Sequence, residues 1–217
     1  MKKTLLLAIF IFTITIIGCG CSLNSIKGNG NETTKSFNVS DFSHIDASHA
    51  FVIQVVVGEK QSVEIETDEN LMEYVKVSVT NNTLFLEIEN FVKFDGRVKA
   101  IISTESLNGI DLSGACKIDV RNISTDNFSV DASGACKGTL SGNVENLNIE
   151  LSGATKLNTV ELIAKNLNIN MSGASNLEVY CDNSLTVDAS GASKVIVYGD
   201  PKKTKTDLSG VSSISQK

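Results

Sequence analysis

Six short motifs recur along the chain: Ser113-Gly114-Ala115, Ser133-Gly134-Ala135, Ser152-Gly153-Ala154, Ser172-Gly173-Ala174, Ser190-Gly191-Ala192 and Ser209-Gly210-Val211. Their steps are 20, 19, 20, 18 and 19 residues. A near-constant period of this length marks a solenoid, in which each repeat packs only on its neighbours. Around each motif the residues alternate. Leu147, Ile149 and Leu151 share one side of a strand, Asn148 and Glu150 the other. "LNINM" (Leu167 to Met171) and "LTVDA" (Leu185 to Ala189) repeat the pattern. Period-two alternation means strands with one buried face. The fold class that satisfies both periods is all-β: a parallel β-helix with coils of about 19–20 residues, stacked about 4.8 Å apart. Val130, Ile149, Ile169 and Val187 then form one inner column. Leu112, Ala132, Leu151, Met171, Ala189 and Leu208 form another.

The motif has a structural task in such a stack. Its glycines fall at one corner of every coil, where a sharp turn needs φ > 0. The following alanine is expected inside the bend. The serine hydroxyls can bond turn backbone groups. A row of serines without a base is no set of nucleophiles. An earlier copy, "IDASHAFVIQV" (Ile45 to Val55), puts His49 in the glycine place, so His49 reads as a corner residue. Phe37 to Thr104 reads as a less regular start of the same stack, or as a small separate β-unit. "DENLMEYVKVSV" there breaks the alternation and reads as a short turn or helix. Residues 105–217 carry the regular repeats. Pro201, Lys202, Lys203 and Lys205 suit the far end, where they discourage edge pairing.

The chain opens with Lys2 and Lys3 and an apolar run from Leu5 to Ile17, the pattern of a signal peptide. The run ends "IIGC", Ile16 to Cys19, which resembles a bacterial lipobox. It implies cleavage after Gly18 and diacylglycerol on Cys19. Residues 19–36 then read as the lipidated cysteine and a flexible, polar tether, and 37–217 as the folded head. Loss of residues 1–18 leaves 17 basic and 25 acidic residues, a net charge of −8. So acidic a chain has no generic attraction for nucleic acid or anionic lipid, and membrane attachment would run through the lipid anchor. No acid follows Cys19 until Glu32, which points to the outer membrane. The head can face either periplasm or exterior.

The outward columns hold the chemistry. Asp46, Asp111, Asp131, Glu150, Asn170, Asp188 and Asp207 occupy one; Lys117, Lys137, Lys156 and Lys194 occupy a second. Both read as solvated charged rows. A second reading of the acidic row is weak Ca²⁺ binding. Cys116 and Cys136 are equivalent residues of consecutive coils, in a column continued by Thr155, Ser175, Ser193 and Ser212. Free, stacked thiols are expected there, with a disulfide as the other reading. Cys181 lies near a different corner, and the cysteine spacing gives no zinc site. Asn127, Asn146 and Asn166 suit an amide ladder. Tyr180 and Tyr198 match in position. The loop "NFVKFDGR" (Asn90 to Arg97) reads as a core cover. No catalytic residue, cofactor or metal ligand is indicated.

With the lipobox come "F..ID.S....I.V..G" (Phe42 to Gly58), "NL...V.V......L.L.I" (Asn70 to Ile88) and the repeated "SGA" turns. Together they resemble the putative auto-transporter adhesin, head GIN domain family of bacterial envelope proteins. The resemblance covers Phe37 to the C-terminus. It implies a right-handed β-helical head, secreted or envelope-bound, and brings no catalytic residues.

Three functions follow as expectations. The first is a non-enzymatic envelope lipoprotein, an adhesin-like domain that binds an unknown surface protein or glycan. The second is a β-helical enzyme acting on polysaccharide, which would need acids gathered in a cleft. The third is a structural or regulatory envelope component.

Overall fold

The computed structural model describes residues 25–89 and 93–217. The expected signal segment, Cys19 and Cys21 lie outside the described residues, as do residues 90–92 of the "NFVKFDGR" loop.

The first part of the chain forms β1 (Ser25–Lys27), β2 (Glu32–Ser36), β3 (His44–Ala47), β4 (Phe51–Val57) and β5 (Ser62–Asp68). A 3₁₀ helix at Glu69–Tyr74 leads into β6 (Val75–Thr80), β7 (Thr83–Ile88), β8 (Lys93–Asp95) and β9 (Val98–Thr104). The repeats supply β10 (Gly109–Leu112), β11 (Lys117–Ala132), β12 (Lys137–Leu151), β13 (Lys156–Met171) and β14 (Asn176–Ala189). The chain closes with β15 (Lys194–Tyr198), β16 (Lys203–Leu208) and β17 (Ser213–Gln216). The fold is a β-solenoid of about five turns.

Neighbouring rungs pair in parallel and in register: Val130 with Ile149, Ile169 and Val187, and Leu112 with Ala132, Leu151, Met171, Ala189 and Leu208. Both expected inner columns are therefore present. From Val130 to Val187 and from Leu112 to Ala189 they are buried. Each rung leaves the Ser-Gly-Ala corner along a first face, as in Lys117–Val120. It bends at Arg121 and Asn122, where the register shifts and Asn122 has φ 63°. It returns to the next corner along a long last face, Asn127–Ala132.

The corners show why glycine recurs. Each continues the ladder: Ala135 N–H donates to the Gly114 carbonyl at 2.7 Å, Ala154 to Gly134, and Ala174 to Gly153. The corner glycines have φ between 70° and 88°. Positive φ alone does not explain them, because His49 adopts φ 72° at the first corner. The closer constraint is stacking. A Cβ at Gly153 would collide with the Gly134 carbonyl oxygen, and the same holds at every repeat corner. Beneath His49 the strand β7 runs straight on to Ile88, so no corner lies below to collide with.

The alanine of the motif is not inside the bend, as the sequence suggested, but exposed. The next residue fills the turn instead: Cys116, Cys136, Thr155, Ser175 and Ser193 are all buried. Each donates from its side chain to the carbonyl of the corner serine three residues back, from Cys116 to Ser113 at 3.4 Å through Ser193 to Ser190 at 2.9 Å. Chain geometry sends alternate residues in and out, and the alanine falls on the outward beat.

The tether expectation also changes. Glu32–Ser36 is strand β2, paired antiparallel with β5, which in turn pairs antiparallel with β9. Its side chains are mostly exposed because it is an edge strand, which is why its composition looks like a linker. On the long last face, β6 closes the stack against β7 in the same antiparallel way. The 3₁₀ helix crosses between the two caps and inserts fully buried Leu71. Apart from β8, which pairs with β1 in a small two-stranded sheet, the strands of residues 37–104 thus join the same large sheet as the repeats. At the far end β16 is exposed along its whole length, and Leu208 and Val211 are the exposed large apolar residues.

Gly153→Ala is expected to cost more than about 2 kcal/mol, since it adds a steric collision to a positive-φ penalty of roughly 1–3 kcal/mol. His49→Ala should cost less than about 1 kcal/mol, because its corner has nothing beneath it. Urea denaturation of the two variants reads the difference; a Gly153→Ala loss no larger than about 1 kcal/mol, the low end of the positive-φ penalty, would show that dihedral strain alone sets the corner.

Candidate functional site: the outward columns

Because the core takes every second residue, the other half of each strand forms straight outward columns. Three are notable. The first is acidic, on the last face, just before the corner. Register places Phe85, Asp46, Asp111, Asp131, Glu150, Asn170, Asp188 and Asp207 in one line. The expected ladder is therefore real, and its electrostatics are unrelieved. Partial burial, then repulsion from Asp111 and Glu87, pushes the Asp46 carboxyl above its ordinary range. Asp131 is raised by partial burial and by Asp111 and Glu150. Partial burial also raises Asp111, against a small opposing effect of His44. No lysine contributes to these shifts, because the lysine column lies beyond the corner. A shallow groove of about 380 Å³ gathers Asp131, Glu150 and Asp188, but no lysine lines it. Among the described residues no three His, Cys, Asp or Glu side chains converge as a metal site would require.

The second column set is neutral and lies on the same face, nearer the preceding bend. Asn146 Nδ2 donates to Asn127 Oδ1 at 3.0 Å, Asn166 to Asn146 at 2.9 Å, and Asn183 to Asn166 at 2.8 Å. This is the amide ladder that the sequence predicts. A parallel one joins Asn168 to Asn148 at 2.7 Å. The two ladders, with His44, Ser129 and Thr186, line an open groove of about 720 Å³. The inner members, Asn146 and Asn166, each spend one N–H and one oxygen lone pair on their neighbours, leaving the remainder for an outside partner. The sequence disclosed the ladder but not the groove, since the groove needs the second asparagine column beside the first.

The third is basic and follows the corner. Lys99, Val52, Lys117, Lys137, Lys156, Asn176 and Lys194 are in register on the first face. Lys99 pairs with Glu66 at 3.3 Å.

The other sequence candidates are placed as follows. Cys116, Cys136 and Cys181 are buried and free. The neighbouring Cys136 thiol, together with burial, pushes the Cys116 thiol well up. Both act as serine equivalents in the turn. Tyr180 and Tyr198 are paired partners, and Tyr198 Oη donates to Glu178 at 3.4 Å. His49 is an exposed corner residue bonded to Ser48 Oγ at 2.8 Å. No helix among the described residues is long and apolar enough to cross a membrane.

Residues 41–201 match the family model described as "Putative auto-transporter adhesin, head GIN domain". The chain belongs to this family. Its head GIN domain is similar to a crystal structure described as "a putative adhesin" from Bacteroides fragilis NCTC 9343. The TM-score is 0.71 at 21% identity, with 88% of this chain and 100% of that chain covered. A "putative adhesin" from Parabacteroides merdae ATCC 43184 is similar at TM-score 0.57 and 16% identity, over 89% of this chain and 99% of that one. A "Putative lipid binding protein" from Parabacteroides distasonis ATCC 8503 gives 0.60 and 17%, over 89% and 100%. At these identities the likeness speaks for the shared fold. No curated protein matches the chain. The family indicates an adhesin-like protein of the cell envelope or surface.

Two outcomes test this description of the columns. An aspartate whose carboxyl is raised in the folded state destabilises when ionised. Asp111→Asn should therefore stabilise the head GIN domain at pH 7, by about 0.2–1 kcal/mol, the scale of a like-charge cross-strand contact. The gain should shrink as pH falls through the raised range towards 3.8, where the wild-type carboxyls become neutral. Thermal melts at a series of pH values measure it. Cys136→Ser should stay within about 1 kcal/mol of wild type, since serine makes the same turn bond, whereas Cys136→Val should lose about 1–3 kcal/mol. Denaturant titration separates the two.

Proposed function

We propose that the protein is a non-enzymatic envelope lipoprotein, held to the outer membrane through lipid on Cys19, whose solenoid head binds a surface protein or glycan. Family membership supports an adhesin-like role. The observation that carries the reading is the shape of the polar surface. Its grooves are open and run across successive rungs, and their linings repeat from rung to rung. Such a surface recognises an extended partner by many similar contacts. Glycoside hydrolysis instead needs two carboxylates facing one bond across a cleft. Here the carboxylates recur along an exposed row, and the largest groove is lined mainly by amides and hydroxyls. The printed descriptions of the structural neighbours, two adhesins among them, accord with binding.

The attachment and the binding are separable in experiment. Cells fed a radiolabelled fatty acid should incorporate it into the wild-type protein and not into Cys19→Ala, which should leave the membrane fraction. Label retained by Cys19→Ala would overturn the anchor. The full chain, solubilised in detergent and fluorescently tagged, is expected to bind members of an array of surface glycans and envelope proteins. Silence across the array would overturn the binding role.

A further inference from the structure

We propose that the basic face of the solenoid is a binding groove for a linear anionic polysaccharide. The inference deepens the adhesin-like reading and rests on it. A groove of about 610 Å³ opens beside the basic column, and its charged lining is Arg97, Lys117, Asp119, Arg121, Lys137 and Lys156. Five of the six are cations, on a chain whose formal net charge is −6. The single acid is already engaged: Arg121 donates to Asp119 Oδ2 through Nη2 at 2.7 Å and through Nε at 3.0 Å. Asp119 Oδ1 accepts from Thr139 at 2.8 Å. The groove is left with four uncompensated cations.

Three of these occupy consecutive rungs. Lys117, Lys137 and Lys156 are directly in register. Among the described residues none of them takes part in an ion pair. Cross-strand like charges at rung spacing repel, so the row is held at a cost to the fold. The acidic column could have relieved it, but it stands on the other side of the corner. The repulsion remains available to be relieved by an outside anion. Gly138 lines the groove between Lys137 and Thr139, and its inward position is filled by the side chains of Ile118 and Leu157 from the rungs on either side.

Magnitude selects the ligand class. One exposed lysine–anion contact strengthens binding by only about fivefold at most, so a lone phosphate or carboxylate gains little from an open row. A polymer with an anion on each sugar, or on every second sugar, engages several lysines at once. Its later contacts are intramolecular and additive. Rungs are about 4.8 Å apart, and Lys194 extends the row two rungs beyond Lys156. Among the described residues no aromatic ring lines the groove as a stacking platform of the kind that single-stranded nucleic acid uses. Uronate- or sulfate-bearing glycan is the fitting occupant.

The test uses the full chain in detergent, with polygalacturonate and chondroitin sulfate as probes, dextran as the neutral control and a single-stranded DNA oligonucleotide as the competing polyanion. The wild type should bind the two acidic glycans, more weakly as salt rises, and should bind dextran and DNA at least tenfold more weakly. The combined variant Lys117→Gln, Lys137→Gln, Lys156→Gln should lose binding by about tenfold or more, with a flattened salt dependence. It should melt no lower than wild type, because repulsion has been removed. Lys202→Gln, Lys203→Gln, Lys205→Gln, away from the groove, should bind as wild type does. Equal losses in the two triple variants, equal binding to DNA, or no binding to either acidic glycan would overturn the proposal. If the array partner of the previous section is still bound while the acidic glycans are not, this inference alone falls. If nothing is bound at all, both fall.

Discussion

One hydrogen bond organises the molecule: the corner amide of each rung donating to the glycine carbonyl of the rung below. It carries the parallel ladder around a turn, where most sheets would lose it. At 2.7 Å it draws the two backbones so close that no side chain fits between them. Glycine is thus demanded by the neighbour as much as by the dihedral. His49 separates the two demands, since it has the dihedral without the neighbour. With the corners fixed directly above one another, every other residue is forced into column with its equivalent. The core, the amide ladders and both charged rows are consequences of that alignment.

Alignment is also why so much was legible in the residues. Once a period is known, a column is a matter of counting, and the aspartates, lysines, asparagines and inner aliphatics all fall where counting puts them. What escaped depends on things that a period does not encode. Glu32–Ser36 has the composition of a linker because an edge strand solvates its side chains as a linker does. The exposed alanine and the buried cysteine exchanged roles because motif letters do not say which beat of the alternation a turn begins on. The grooves were invisible because each depends on two columns standing side by side.

The charge pattern follows the same geometry. Acids and lysines are close in sequence, six residues apart around each corner, yet they stand on different faces. No ion pair among the described residues joins the two rows. Charges that would neutralise one another in a loop are held apart by the fold, and each row keeps its own repulsion. The aspartates answer by holding their protons more tightly. The lysine row leaves the basic face as a stretch of surface that departs from the overall sign of the molecule.

The two ends of the stack are finished differently. Antiparallel strands and a buried leucine seal the first, whereas the last rung lies bare, its inward positions passing from Leu185 and Val187 to Thr204 and Thr206. Protection of the backbone amides against solvent exchange should accordingly decline along the axis, as in a zipper with one closed end. The terminal rung is the one part of the protein that can be lengthened, shortened or peeled away without disturbing anything laid down before it.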